Sequence, residues 1–279
     1  MLTQRVQSIL QSVNHLRPIP SNVTRVLKEL ENANVSLGMI AEYIGLDQAL
    51  AALILQMANS AALGYGRSCT SLNEAVVRIG VKRLKSLLLA SVAVGPMNRQ
   101  LNGYRLGAGE LWNHSVGTAV TAEWAARALS YPDPEEAYVA GLLHDIGKLL
   151  LDQYVLTDYS QIILYVQKYN QPLWQVEEKL IGIDHARVGG LIAQRWGFPA
   201  LLMDAISCHH YPTLAHSNPV LPALVNLANY LTIKIQGSQQ GLFCDILHPD
   251  VFNILSIDES RLERFQQRVA DVLGVSAAP

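Results

Sequence analysis

The sequence predicts an all-α protein, and three observations carry that expectation. Apolar residues recur at three- and four-residue spacing through most of the chain. Cap and stop residues punctuate those runs. No stretch alternates apolar and polar residues for long enough to make a strand, and no hairpin signal occurs. With 279 residues, half of them apolar, the chain can bury a substantial core as one large domain or two small ones.

The elements follow in order. Ser21 precedes 22-NVTRVLKELEN, and Ser36 precedes 37-LGMIAEYIG, which closes on Gly45. Asp47 opens 48-QALAALILQMANSAAL, apolar on most sides and therefore central. In 71-SLNEAVVRIG, Ser71 and Glu74 have capping-box spacing and Gly80 is the stop. The run 82-KRLKSLLLASVAV ends at Gly95-Pro96, and the glycine-bearing 98-NRQLNGYRLGAG reads as a connecting loop. A long helix follows in 110-ELWNHSVGTAVTAEWAARAL. Then 133-DPEE places a cap, a first-turn proline and two acids at the start of the next helix. Further helices are expected over 158–169, 173–180, 185–196, 200–209 and 219–236. Near the C-terminus, 258-DESRLERFQQRVADVLG reads as a capped amphipathic helix whose role is docking onto the domain.

Composition excludes several functions. A net charge of −2 and the lack of any basic block give no electrostatic basis for nucleic-acid binding. Cys69, Cys208 and Cys244 are odd in number and scattered, which argues for a reducing compartment and against a disulfide framework or thiolate zinc site. The N-terminus lacks signal-peptide character, and 87-LLLASVAVGPM is about half of the roughly 20 residues that a membrane span needs. A cytoplasmic protein without membrane partners is the expectation.

The polar residues set into apolar helices are more informative. His114, His144, Asp145, His185, His209 and His210 all lie in such contexts. Burying His144 and Asp145 unsatisfied within 141-GLLHDIGKLLL would cost several kcal/mol, so they require partners. Adjacent helical positions point about 100° apart, so the pair converges only on something between them. A divalent cation meets that demand, since imidazole nitrogen and carboxylate oxygen both reach zinc-like ions at about 2.0–2.2 Å. A hydrogen-bonded structural pair meets it too. His209 and His210 repeat the adjacent arrangement, or they line a surface loop before Pro212. Lys148, three residues after Asp145, has an ammonium suited to an anionic oxygen such as phosphate. His15, His216 and His248 read as solvent-facing or capping residues.

The order of these residues resembles the HD superfamily of metal-dependent phosphohydrolases. The run 182-GIDHARVGGLIAQRWGFPALLMDAISCHHYP-212 narrows the resemblance to the HDOD family. The segments 18-PIPSNVTRVLKELEN, 55-LQMANSAALG and 72-LNEAVVRIGVKRLKSLLL resemble that family's first half, including its L-x-x-x-NSA motif. The resemblance covers residues 16–232. It implies an N-terminal helical lobe (16–97) packed with an HD-like helical lobe (108–232), followed by an extension over 233–279 carrying one amphipathic helix.

It also implies a bacterial signalling protein that acts through contacts with other signalling proteins. The alternative is a metal-dependent phosphohydrolase acting on a nucleotide or phosphodiester. Carried over residue by residue, His114, His144 and Asp145 would hold one metal, and Asp145 would bridge to a second held by His185, His209 and His210. The ion could be iron, manganese, magnesium, zinc or nickel. If the protein is active, Asp145 and Lys148 would be its catalytic residues, with Lys148 facing the phosphate. Two departures count against catalysis. In 227-LANYL, Asn229 stands where the HD pattern ends in aspartate, a poorer ligand for a dication. After His209-His210, the glycine-rich GYP motif of the cyclic di-GMP phosphodiesterases is missing.

Overall fold

The computed structural model describes residues 2–16, 19–30, 32, 35–59, 68–236 and 246–274. Among them the chain is helical throughout, and the one strand-like feature is an isolated antiparallel bridge between Leu101 and Leu106. No described helix is long and apolar enough to cross a membrane. Contacts divide the chain into two units, Pro18–Gly95 and Met1–Arg17 with Pro96–Pro279.

The smaller unit begins with α2 (Ser21–Glu29), α3 (Leu37–Gly45), α4 (Gln48–Ala58) and α5 (Leu72–Ile79), and α6 (Val81–Met97) follows. Val26, Ile40, Ile44, Ile54, Val76 and Leu84 are fully buried, each contributing about 1.5–3 kcal/mol of transfer free energy. Asp47 caps α4 by accepting from the Leu50 amide at 3.0 Å, and its other oxygen accepts from Asn22 at 2.6 Å. Ser71 sits at the N-cap of α5, but its side chain makes no cap bond there. Glu74 instead accepts from Arg78 one turn along at 2.6 Å. The expected capping box is therefore not closed by its serine. Helix α6 continues past Gly95 to Met97, because a proline in the last turn costs a single ladder bond. Asn59, from the NSA run, pairs with the backbone of Cys69: its amide donates to the Cys69 carbonyl at 2.8 Å, and its oxygen accepts from the Cys69 amide at 2.6 Å. The rest of that run, Ser60 and Ala61, and also Cys244 lie outside the described residues.

The larger unit is built on α7 (Glu110–Ala128), buried along twelve of its positions, with α8 (Pro134–Leu143) and α14 (Val220–Gln236) packed on it. Helix α9 (Lys148–Thr157) packs with α12 (His185–Arg195), and α12 with α13 (Ala200–Ser207). The helix expected over 158–169 is α10 (Tyr159–Ile163) passing into one π-helical turn at Leu164–Lys168, and α11 (Leu173–Leu180) follows.

Two helices here had no sequence expectation. Helix α1 (Leu2–Asn14) packs on α9 and α12 and pairs Arg5 with Asp158. Helix α15 (Asp250–Ile254) packs on α14, where the His248 amide donates to Asn226 Oδ1 at 2.9 Å. Helix α16 (Glu259–Val272) is capped by Asp258 and lies against α14 and α7, with Phe265 edge-on to Trp124 at 5.0 Å. The segment read as an open loop, 98–109, is folded into this unit. Leu101, Tyr104 and Leu106 are buried, and the Gly103 amide donates to Asp152 Oδ1 at 2.7 Å.

Candidate metal centre

The histidine and aspartate side chains come from four places in the larger unit. His114 projects from α7. His144 and Asp145, expected on the helix that 133-DPEE opens, lie instead in the turn between α8 and α9, since α8 ends at Leu143. His185 is the first residue of α12, and His209 and His210 follow the end of α13. Two glycines allow the backbones to come close enough. A Cβ on Gly141 would lie 2.9 Å from the Thr118 carbonyl oxygen, so glycine is what lets α8 settle against α7. A Cβ on Gly147 would lie 1.9 Å from the His185 carbonyl oxygen, so glycine also lets the 144–147 turn sit on the start of α12. That approach brings Asp145 to His185.

The result is two triads sharing one carboxylate. His114, His144 and Asp145 form one group, and His185, His209 and His210 the other; within each, one ligand atom per residue lies within 4.8 Å of the others. Asp145 faces both. Its Oδ2 is 3.6 Å from His114 Nε2 and 3.4 Å from His144 Nε2, while its Oδ1 is 3.1 Å from His185 Nε2. His185 Nε2 is in turn 3.0 Å from His210 Nε2. The six residues expected to share a site are thus together. Lys148 is with them, but its ammonium donates to Asp145 Oδ2 at 2.6 Å instead of facing an open space. Asn229 is buried on α14, the helix packed against α7, α8 and α13. His15 and His216 are exposed, and His248 caps α15 by accepting from the Asp250 amide at 3.3 Å.

The outward nitrogens of three histidines are already engaged. His144 Nδ1 pairs with the Gly141 carbonyl at 2.7 Å, His209 Nδ1 with the Ile206 carbonyl at 2.8 Å, and His185 Nδ1 with Glu177 Oε2 at 2.6 Å. Each bond places the proton on Nδ1 and turns Nε2 inward, the arrangement that orients imidazole ligands of metals. His209 Nε2 is buried and has no hydrogen-bond partner among the described residues. These residues fit a divalent cation of the nitrogen- and carboxylate-binding kind.

Two contributors were missed from sequence. Glu177 on α11 is fully buried; its Oε2 serves His185 and its Oε1 accepts from the Tyr104 hydroxyl at 2.7 Å. Glu177 does carry a signal. It stands four residues after Leu173 and one after Val176, on the buried face of an amphipathic helix. Tyr104 carried none beyond being an aromatic in a glycine-bearing loop.

The electrostatics follow from this packing. Burial pushes the Asp145 carboxyl upward, but His144, Lys148 and His185 outweigh it and hold it well below the usual carboxylate range. Burial lowers His185, yet Glu177 and Asp145 outweigh it and raise the imidazole to about 10. A cation bound there would have to displace the proton from its Nε2. Burial and neighbouring imidazoles push His209 and His210 well down, keeping them neutral as ligands must be. Burial, then Glu177, raises the Tyr104 hydroxyl, which stays a donor.

Known proteins share this architecture. An HDOD domain protein of Geobacter sulfurreducens superposes with a TM-score of 0.68 at 24% identity, covering 97% of each chain. A candidate phosphohydrolase of Shewanella amazonensis SB2B gives a TM-score of 0.72 at 24% identity over 96% of this chain and 95% of its own. An uncharacterized protein of Treponema pallidum (strain Nichols) is 26% identical over 239 residues, 84% of this chain and 45% of that relative. The chain therefore spans less than half that relative's length. The HDOD domain pattern matches residues 16–212. That match runs from the approach to α2 through the paired histidines at 209–210, so both halves of the sequence pattern fall within it, and the chain belongs to the HDOD domain family.

Proposed function

We propose that this chain is a regulatory module of bacterial signal transduction that acts in the cytoplasm through contacts with other signalling proteins. It holds a divalent ion in a closed centre and is not a working hydrolase. The observation that carries this reading is the burial of the centre. None of His114, His144, Asp145, Lys148, His185, His209 and His210 exceeds 6% exposure. A phosphodiester would have to displace helix packing to reach Asp145, and the ammonium of Lys148 already occupies one carboxylate oxygen. His185, His209, His210 and Asp145 would hold the ion, with His114 and His144 completing the shared carboxylate's surroundings. A divalent ion with an open position lowers the pKa of bound water and makes it a nucleophile; in a closed site it supplies folding free energy instead.

The second reading is a metal-dependent phosphohydrolase acting on a nucleotide or phosphate ester. Asp145 favours it, because it presents one oxygen to each triad, as a bridging ligand does. The phosphohydrolase named among the structural relatives points the same way. Metal analysis of the purified protein, with turnover of bis(p-nitrophenyl) phosphate by wild type and Asp145→Ala, separates the two. Bound metal without turnover is expected. Wild-type turnover that vanishes in Asp145→Ala would replace the first reading with the second.

A further inference from the structure

We infer that the centre takes one ion and not two: the triad His185, His209 and His210 with Asp145 Oδ1 holds it, and the Lys148 ammonium stands in for the charge of a second. This rests on reading the cluster as a metal centre, and it assigns unequal roles to two triads that look alike in sequence.

Charge distribution separates the two positions. The first triad's one carboxylate is Asp145, whose Oδ2 is the oxygen nearest His114 and His144. Lys148 takes that same oxygen at 2.6 Å, in a setting where both side chains are buried. A dication on Oδ2 at about 2.1 Å would therefore lie at most about 4.7 Å from an ammonium. Two cations that close in a buried site repel strongly, and an added carboxylate is what would balance them. Among the described residues Asp145 is the one carboxylate grouped with His114 and His144.

Lys148 also acts on His185 and His210, but the second triad has a buried carboxylate of its own to offset it. Glu177 is fully buried behind His185, and its partners are the Tyr104 hydroxyl and the His185 amide and ring. Among the described residues no lysine or arginine pairs with it. Its negative charge is thus directed through His185 toward the space that His185, His209 and His210 surround. His209 Nε2, buried and without a hydrogen-bond partner among the described residues, faces the same group. The ammonium makes the first position the worse place for a dication, and Glu177 makes the second the better one.

The test is stoichiometric. Metal-free protein is titrated with cobalt(II), followed by d–d absorbance and by metal content after gel filtration. Wild type should saturate at one equivalent, and His209→Ala should lose that equivalent, with affinity down at least tenfold. Lys148→Met should bind two, and Lys148→Met with His114→Ala should return to one. Lys148→Gln, which also removes the ammonium and keeps a polar end, provides the same reading if Lys148→Met does not fold; it too should bind a second equivalent. Saturation of wild type at two equivalents overturns the inference and leaves the metal centre standing. So does saturation at one in both Lys148→Met and Lys148→Gln. Absence of cobalt binding in every folded protein overturns the metal reading itself, and this inference with it.

Discussion

One carboxylate oxygen of Glu177 holds His185 twice, accepting from its backbone amide at 2.8 Å and from its ring Nδ1 at 2.6 Å. The first bond fixes the start of α12 and the second fixes the ring, so the direction of His185 Nε2 is set by a residue that does not itself face the cluster. Removing the carboxylate leaves three buried donors without an acceptor, at about 1–3 kcal/mol each. Glu177→Ala should therefore weaken metal binding by roughly 10–100-fold, the usual range for such outer partners. Glu177→Gln, which keeps one acceptor, should lose less. Chelator-competition affinities on proteins of matched circular dichroism check this, and equal affinity in all three would show that His185 is positioned by packing alone.

Gly147 is the close-approach point of the whole centre. A methyl group there would meet backbone, 1.9 Å from the His185 carbonyl and 2.7 Å from the Gly189 amide nitrogen, and neither can swing aside. Gly147→Ala should cost on the order of 3–5 kcal/mol and separate Asp145 from His185. A urea midpoint close to wild type would mean that the turn relaxes at little cost.

Much of this was legible in the chain. Helices α7, α8 and α11 to α14 announce themselves by caps and apolar periodicity, and the order of histidines and Asp145 marked the cluster before any coordinates. The parts that were not legible depend on long-range contacts. Helix α1 joins the larger unit across the whole of the smaller one, Pro18–Gly95, which no local pattern reports. The 98–109 segment looks like a loop because its glycines do; Leu101, Tyr104 and Leu106 gave the contrary signal that it is pinned down. For Lys148, spacing gives a face and not a partner: the resemblance implies a phosphate there, and in the structure the ammonium donates to Asp145.

Asn59 shows what a short motif does physically. Its amide closes two hydrogen bonds with the backbone of Cys69, donating at 2.8 Å and accepting at 2.6 Å. Only an amide side chain carries both a donor and an acceptor in that geometry. Asn59→Asp loses the donor and sets a charge against a carbonyl, so it should destabilise at least as much as Asn59→Ala, by about 1–3 kcal/mol. Thermal melts of the two variants decide it; a stable Asn59→Asp would assign the asparagine some other purpose.

The C-terminal helix is held by apolar contact. Phe265 is buried against Trp124 at 5.0 Å, and the Arg261 guanidinium donates to the Ala128 carbonyl at 2.8 Å. Phe265→Ala should cost about 3–5 kcal/mol, whereas the exposed Arg264→Ala should change stability by less than about 0.5 kcal/mol. Similar denaturation midpoints for both would mean that α16 is not needed for the core.

The pairing of Asp145 with Lys148 makes the last prediction, on stability in the presence of a chelator. Asp145→Ala strands an ammonium at 5% exposure with its carboxylate gone, and breaking a buried pair from one side costs roughly 3–5 kcal/mol. Lys148→Met is not the mirror image. Asp145 then still has the protonated His185 ring at 3.1 Å, so its charge is not abandoned. Lys148→Met should consequently cost less than Asp145→Ala. The double variant removes both charges and leaves a buried apolar side chain, so it should lie near Lys148→Met and well above Asp145→Ala in stability. Urea unfolding of the four proteins gives the cycle directly, and a coupling energy within about 0.5 kcal/mol of zero, the additivity of independent sites, would mean that the 2.6 Å contact does not organise the centre.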